Sequence, residues 1–97
     1  MKQYTDAYVY ILTNRLNTTL YIGVTSNLEQ RIAEHKLREH KGFSSKYKTC
    51  KLIYFARSTS IKDAIQREKQ LKKWRREKKI DLINSFNPEW IDLSEGM

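Results

Sequence analysis

Two stretches near the start decide the fold: Ala7-Tyr8-Val9-Tyr10-Ile11-Leu12-Thr13 and Thr18-Thr19-Leu20-Tyr21-Ile22-Gly23-Val24. Both are rich in aromatic and β-branched side chains, which fit a pleated, half-buried surface. Between them, Asn14-Arg15-Leu16-Asn17 reads as a turn, because asparagine bonds locally to its own backbone. So short a connection predicts an antiparallel hairpin. If residue 12 pairs with residue 19, Tyr10 lies opposite Tyr21 and Tyr8 lies opposite Gly23. Strand alternation then puts Tyr10 and Tyr21 on one face. Gly23 on that face removes a side chain and leaves a hollow beside Tyr21. An aromatic cross-strand pair also stabilises a sheet by itself. The two tyrosines therefore carry both a structural and a chemical reading.

Working outward, Thr25 and Ser26 are helix-capping types, and Glu29 stands three residues after Ser26. That pattern predicts a capping box and a helix from about Asn27 to Arg38. Leu28, Arg31, Ile32 and His35 fall at i, i+3, i+4 and i+7, hence on one helix face. Leu28 and Ile32 must point at the core, which places Arg31 and His35 at its margin. Arginine offers a phosphate two parallel donors and stays charged. Histidine moves protons near neutral pH. The same positions suit an arginine stem lying over apolar surface and a histidine held at the core's edge.

Residues 39–49 lack periodicity and read as a basic loop, with Lys41, Lys46 and Lys48 around Phe43 and Tyr47. Lys51 to Ala56 reads as a third strand. Ser60, with Asp63 three residues on, caps a long helix running to about Arg76. Its inner face is marked by Ile61, Ala64, Ile65, Leu71 and Trp74. A second helical piece, about Lys78 to Ser85, continues it or kinks away. Asn87-Pro88-Glu89-Trp90-Ile91-Asp92-Leu93 reads as an extended tail with Trp90 docked on the body. The order is β-β-α-β-α-α. The expected fold is α+β, a small three-stranded antiparallel sheet flanked by helices, in a single domain over residues 1–97.

Glu68 occupies a slot in the apolar stripe of the long helix, four after Ala64 and three before Leu71. A carboxylate there must be paired or hold a cation. A salt bridge to Arg31 or a nearby lysine satisfies the first; a hard ion such as Mg²⁺ satisfies the second. Around it lie Lys62, Arg67, Lys69, Lys72, Lys73, Arg75, Arg76, Lys78 and Lys79, met only by Asp63, Glu68 and Glu77. Such an imbalance suits a track for a phosphate backbone. The basic loop with its aromatics suits nucleic acid and an unstacked base.

The chain has 97 residues and a net charge of +8. That field attracts polyanions, with nucleic acid the first candidate and an anionic membrane surface the second. A plain soluble basic domain has the same composition. Cys50 is the sole cysteine, and His35 and His40 are the only histidines. No internal disulfide is available, and a zinc site lacks ligands. The longest apolar run, Ala7 to Leu12, is too short to span a bilayer. No signal-peptide pattern follows the start. A cytoplasmic protein is expected. No Gly-rich phosphate loop, Ser-His-Asp set or cofactor fingerprint appears, so no small-molecule cofactor is expected.

Taken together, Tyr8-Val9-Tyr10, Tyr21-Ile22-Gly23, Arg31 eight residues later and Glu68 resemble the motif set of GIY-YIG nucleases. The resemblance covers about residues 5–93. It is nearest to the small stand-alone bacterial branch of UPF0213-like chains, where an Asn-Pro-x-Trp-x-Asp-Leu tail recurs. Tyr8 departs from the motif, standing where the family has glycine. The resemblance implies metal-dependent hydrolysis of phosphodiester bonds in DNA, with one Mg²⁺ or Mn²⁺ held by Glu68. Tyr10 or Tyr21 would orient or deprotonate the attacking water. A free tyrosine has a pKa of about 10, so such a base needs a nearby cation, which Arg31 and the metal supply. Arg31 would stabilise transition-state charge, and His35 would assist. Tyr47 and Asn84 are supporting carry-overs. Lys41, Lys46, Tyr47, Lys69, Lys72, Lys73, Arg75 and Arg76 are the expected nucleic-acid contacts. Many relatives carry an extra DNA-binding domain, and none is expected here. Recognition of DNA shape, such as a nick, flap or branch, is therefore expected, in repair, recombination or defence. The competing expectations are a non-catalytic nucleic-acid-binding module on the same fold and a domain that contacts an acidic protein.

Overall fold

The computed structural model of the protein describes residues 6–40, 49 and 51–95. The elements run β1 (Ala7–Thr13), β2 (Leu20–Thr25), α1 (Leu28–His40), β3 (Lys51–Ser58), α2 (Ile61–Lys73) and α3 (Arg76–Phe86). The strands form an antiparallel sheet in the order β2-β1-β3. The α+β class and the element order match the sequence expectation. Strand β2 begins two residues later than expected, and β3 extends to Ser58. The expected basic-loop residues 41–48 lie outside the described residues.

The hairpin register differs from the expected pairing of 12 with 19. Leu12 pairs with Tyr21, Tyr10 with Gly23 and Tyr8 with Thr25. The turn is the cause. Buried Asn14 accepts the backbone N–H groups of Thr18 at 2.8 Å and Thr19 at 3.1 Å, so these residues belong to the loop. Asn17 adopts φ 58°, a left-handed conformation that asparagine tolerates. Thr13 closes the hairpin by donating its hydroxyl to the Thr19 carbonyl at 2.8 Å.

The sheet has a core on each side. On one face Val9, Ile11, Ile22, Ile53 and Tyr54 pack with Ala64 and Leu71 of α2 and Ile83 of α3. On the other, Tyr10, Leu12 and Leu52 pack with Leu28 and Ile32 of α1. Central strand β1 supplies both, so all of it but Tyr8 is buried and most of it is apolar. A bulge between Ile11 and Leu12 lets Ile53 and Tyr54 enter the same core.

Helix starts follow local chemistry. The cap of α1 is Asn27, not Ser26: its Oδ1 accepts Gln30 N–H at 3.1 Å, and Thr25 Oγ1 accepts Asn27 N–H. Ser60 caps α2 as expected, accepting Asp63 N–H. Helix α2 ends at Lys73, short of the expected Arg76, and Trp74 leaves the helix so that its ring packs on the core. A separate α3 then starts at Arg76 and carries past the expected Ser85 to Phe86. Of the expected inner face of α2, Ala64 and Leu71 are buried. Ile61 and Ile65 are exposed at 44% and 39%, because the sheet beneath is too small to cover the whole stripe.

The tail is folded into turns instead of running extended. Asn87 is buried; its amide donates to the carbonyls of Ile53 at 3.2 Å and Ile91 at 2.8 Å, and its oxygen accepts Ile91 N–H. Trp90 docks on the α2 side, as expected, with φ 53° and its indole N–H donated to Asn84 at 2.7 Å. Leu93 returns to the α1 side, packing there and donating its N–H to the Leu52 carbonyl. Asp92 accepts Leu52 N–H at 3.1 Å and pairs with Lys36 of α1 at 2.8 Å.

Asn87→Ala leaves the buried Ile53 carbonyl unpaired and removes the two bonds that hold Ile91, and should cost about 2–3 kcal/mol, roughly 10 °C in melting temperature for a domain this size. Thermal unfolding followed by circular dichroism checks this. Burial acts to raise the Asp92 carboxyl, but bonds from Lys36, Ser94 and Leu52 outweigh it and hold it below its ordinary value. Its stabilisation is therefore present above about pH 4 and is lost as pH falls through the depressed value. Asp92→Asn should lower stability at neutral pH and flatten its decline on acidification, measured by denaturant titration across pH. Gly23→Ala places a methyl 2.5 Å from the Tyr10 hydroxyl oxygen and 2.6 Å from Cζ. That overpacking should cost about 1–3 kcal/mol, read as a lower urea midpoint.

Candidate active site

Four of the expected site residues meet on the α1 face of the sheet. Tyr10 projects from β1 and lies over Gly23, so the space expected as a hollow beside Tyr21 is filled by the Tyr10 phenol. Tyr21 sits diagonally across the pair on edge strand β2 and is 42% exposed. The two rings lie 6.3 Å apart between centroids. His35 of α1 stands over both, at 6.4 Å from Tyr10 and 5.4 Å from Tyr21. Arg31, one turn earlier, is half-buried beside Tyr10 and pairs with Glu34 at 3.4 Å. Helical spacing and the depth of Leu28 and Ile32 place Arg31 and His35 at the rim, as expected.

The two tyrosines differ electrostatically. Tyr10 is fully buried, and its hydroxyl has no partner in hydrogen-bond geometry among the described residues. Burial, with Tyr21 second, pushes its pKa up to about 12, and the neighbouring Arg31 offsets this only in part. At neutral pH Tyr10 is a protonated phenol, able to donate and poorly able to act as a base. Arg31 alone does not supply the lowering expected for it. Tyr21 is the tyrosine that reaches solvent. Beside this cluster, Thr25, Ser26, Asn27, Gln30, Arg31 and Glu34 line a groove of about 170 Å³.

Glu68 lies on α2, whose buried residues Ala64 and Leu71 pack on the opposite face of the sheet. Its side chain is 19% exposed and pairs with Lys72 at 3.0 Å; Arg31 is engaged by Glu34 instead. No group of three or more His, Cys, Asp or Glu gathers as a metal cage among the described residues. A single shielded carboxylate fits a hard cation that keeps most of its water, such as Mg²⁺, and Lys72 competes for it.

The basic residues divide. Lys69 and Lys73 line a shallow groove of about 480 Å³ with Gln66, Gln70 and Trp74. Lys72 serves Glu68, and Arg75 opens α3. Arg76 donates to the Thr18 carbonyl at 3.0 Å, tying α3 to the hairpin loop. Arg67 and Lys78 both stack on Trp74, at 5.1 and 4.2 Å from the ring centre. Asn84 holds Trp90, a supporting contact within the fold. Lys41, Lys46 and Tyr47 lie outside the described residues. Sequence reading missed Asn87, whose role depends on a bulge that no local pattern announces. It also missed Ser26 and Asn27 as groove residues, since their only sequence signal was capping.

A family model described as the GIY-YIG catalytic domain matches residues 6–81. A UPF0213 protein of Natronomonas pharaonis is 37% identical over 78 residues, covering 80% of this chain and 91% of its own. One from Clostridium perfringens is 39% identical over 82 residues, covering 80% and 83%. The solution NMR structure of a UPF0213 protein from Bacillus halodurans shares the fold, with a TM-score of 0.57 at 24% identity over 88% of this chain and 89% of that one. No helix among the described residues is long and apolar enough to cross a membrane. With its motif tyrosines, Gly23, Arg31 and Glu68 in sequence order along this fold, the chain belongs to the GIY-YIG nuclease superfamily.

Proposed function

We propose that the protein is a divalent-metal-dependent endonuclease that hydrolyses phosphodiester bonds in DNA. The observation that carries this is the convergence of Arg31, Tyr10, Tyr21 and His35 on one half-open surface. Arg31 grips two phosphate oxygens and meets the charge that grows on them in the transition state. Tyr21, exposed and flanked by His35, positions the attacking water and starts removal of its proton. Tyr10, fully buried and kept protonated, packs beside Arg31 and forms the floor under the groove. Glu68 would hold a divalent metal, Mg²⁺ or Mn²⁺, in place of Lys72, and the ion would supply Lewis-acid polarisation of a phosphate oxygen. Lys69, Lys73 and Arg75 extend a positive surface for the backbone away from the cut. The substrate is DNA of irregular shape, a nick, flap or branch.

The Glu68–Lys72 ion pair favours a second reading, a nucleic-acid-binding module without catalysis. In that case Glu68 has only a structural partner. One experiment separates the two. Supercoiled plasmid and a labelled branched duplex are incubated with wild type, Arg31→Ala and Glu68→Ala in Mg²⁺, Mn²⁺ or chelator. Wild-type cleavage should need metal. Arg31→Ala should lose about 10²–10³ in rate, and Glu68→Ala should lose metal-dependent cutting altogether. Binding by all three proteins with cleavage by none favours the module. Equal cleavage of branched and plain duplex of one sequence rejects shape selectivity.

A further inference from the structure

Among the described residues, the first residue of the tyrosine motif, Tyr8, packs at the margin of the core that holds Tyr10 but makes no ring contact with Tyr21 or His35. It lies two residues from Tyr10 on the same face of β1, about 7 Å along the strand. There it forms an edge-to-face pair with Phe55 of β3, with ring centroids 6.4 Å apart. Phe86 braces Phe55 from behind at 5.7 Å. Both Tyr8 and Phe55 are half-buried, with ring surface left open. They form the floor of a slot of about 350 Å³, walled by Ser26, Asn27, Leu28 and Glu29 at the start of α1. Ser26 and Asn27 also line the groove that contains Arg31, so slot and groove adjoin.

We infer that this slot binds one unpaired base of the DNA substrate, the base next to the phosphate held at Arg31, by stacking on Tyr8. The inference rests on the nuclease proposal for the position of that phosphate. An open aromatic ring is a platform for any base, because every base has a π-face. The separation of Tyr8 from Tyr10 matches a single backbone step of an unstacked strand. Glu29 on the wall repels phosphate and accepts hydrogen bonds, which suits the amino edge of a base. A paired base cannot enter, since stacking on Tyr8 requires it to leave the helix. The slot thus supplies a reason for preferring flaps and branches in a chain where Tyr8 replaces the glycine of the motif.

The test uses a flapped duplex and a fully paired duplex of one sequence. 2-Aminopurine is placed in turn at each nucleotide around the junction. With chelator present to prevent cutting, base fluorescence and binding anisotropy are measured for wild type, Tyr8→Gly, Tyr8→Phe and Glu29→Met. Glu29 is solvent-exposed, so Glu29→Met fills the slot with an aliphatic chain without disturbing the core. Wild type should quench the probe at one unpaired position and bind the flap more tightly than the duplex. Tyr8→Gly and Glu29→Met should each abolish the quench and cut flap affinity about tenfold or more, the size of one lost stack. Tyr8→Phe should retain both signals. Wild-type quench and flap preference in Tyr8→Gly or Glu29→Met overturn the slot. With Mg²⁺ restored, a wild type that cuts while its quench is independent of Tyr8 leaves the nuclease standing without the slot. A wild type that never cuts but quenches through Tyr8 sinks the nuclease and keeps the slot as a base-binding site.

Discussion

The packing of Tyr10 onto Gly23 is the constraint on which the other features depend. A β-strand alternates its side chains, so a one-residue slip would turn every residue of β2 to the wrong face. A two-residue slip would keep the faces but set the Tyr10 phenol against a side chain instead of against bare backbone. Only one register puts the ring over the glycine, and the Asn14 turn selects it from the other end. Once it is fixed, Ile22 faces α2 and Tyr21 faces α1. The depth of Tyr10 then follows, with its burial and its raised pKa. Chemistry and stability are therefore joined at a single contact. The phenol fills the core on one side and forms the floor of the candidate site on the other.

A three-stranded sheet with helices on both faces leaves β3 as an edge, a surface that folded proteins must manage. Here the tail closes it. Trp90 packs on the α2 side and Leu93 on the α1 side, so the segment passes from one layer to the other around β3. Asn87 reaches the carbonyl of Ile53, the residue displaced by the bulge, and Asp92 reaches Leu52 and Lys36. These polar contacts replace ladder bonds that a further strand would otherwise make. They also tie α1, which carries Arg31 and His35, to the sheet that carries the tyrosines.

Strands, helix order and the rim positions of Arg31 and His35 were legible in the sequence because they rest on periodicity, a local property. The hairpin register was not, because Asn14 recruits Thr18 and Thr19 into the turn through bonds invisible to a pattern of apolar residues. The end of α2 was missed for a similar reason. No glycine or proline marks it, and the helix stops where the Trp74 ring finds the core. Glu68 stands out in the sequence as a carboxylate among apolar positions, and in the structure that carboxylate is shielded and paired. The partner, Lys72, is an i+4 neighbour that the sequence offered among several lysines. The contrast between Tyr10 and Tyr21 could not be read at all, since both are motif tyrosines and only burial separates them.

That contrast bears on how such a site is built. A buried phenol with a pKa near 12 holds its proton through the neutral range, whatever its motif position suggests. Lowering it by several units would take a full positive charge held close and shielded from water. Arg31 is present yet half-exposed and shared with Glu34, so its field is partly spent. In the proposed reading a phosphate entering the groove brings negative charge, which keeps the phenol protonated. Depth alone thus separates two chemically identical side chains. In the proposed mechanism the buried one holds the floor of the site, and the exposed one meets the water.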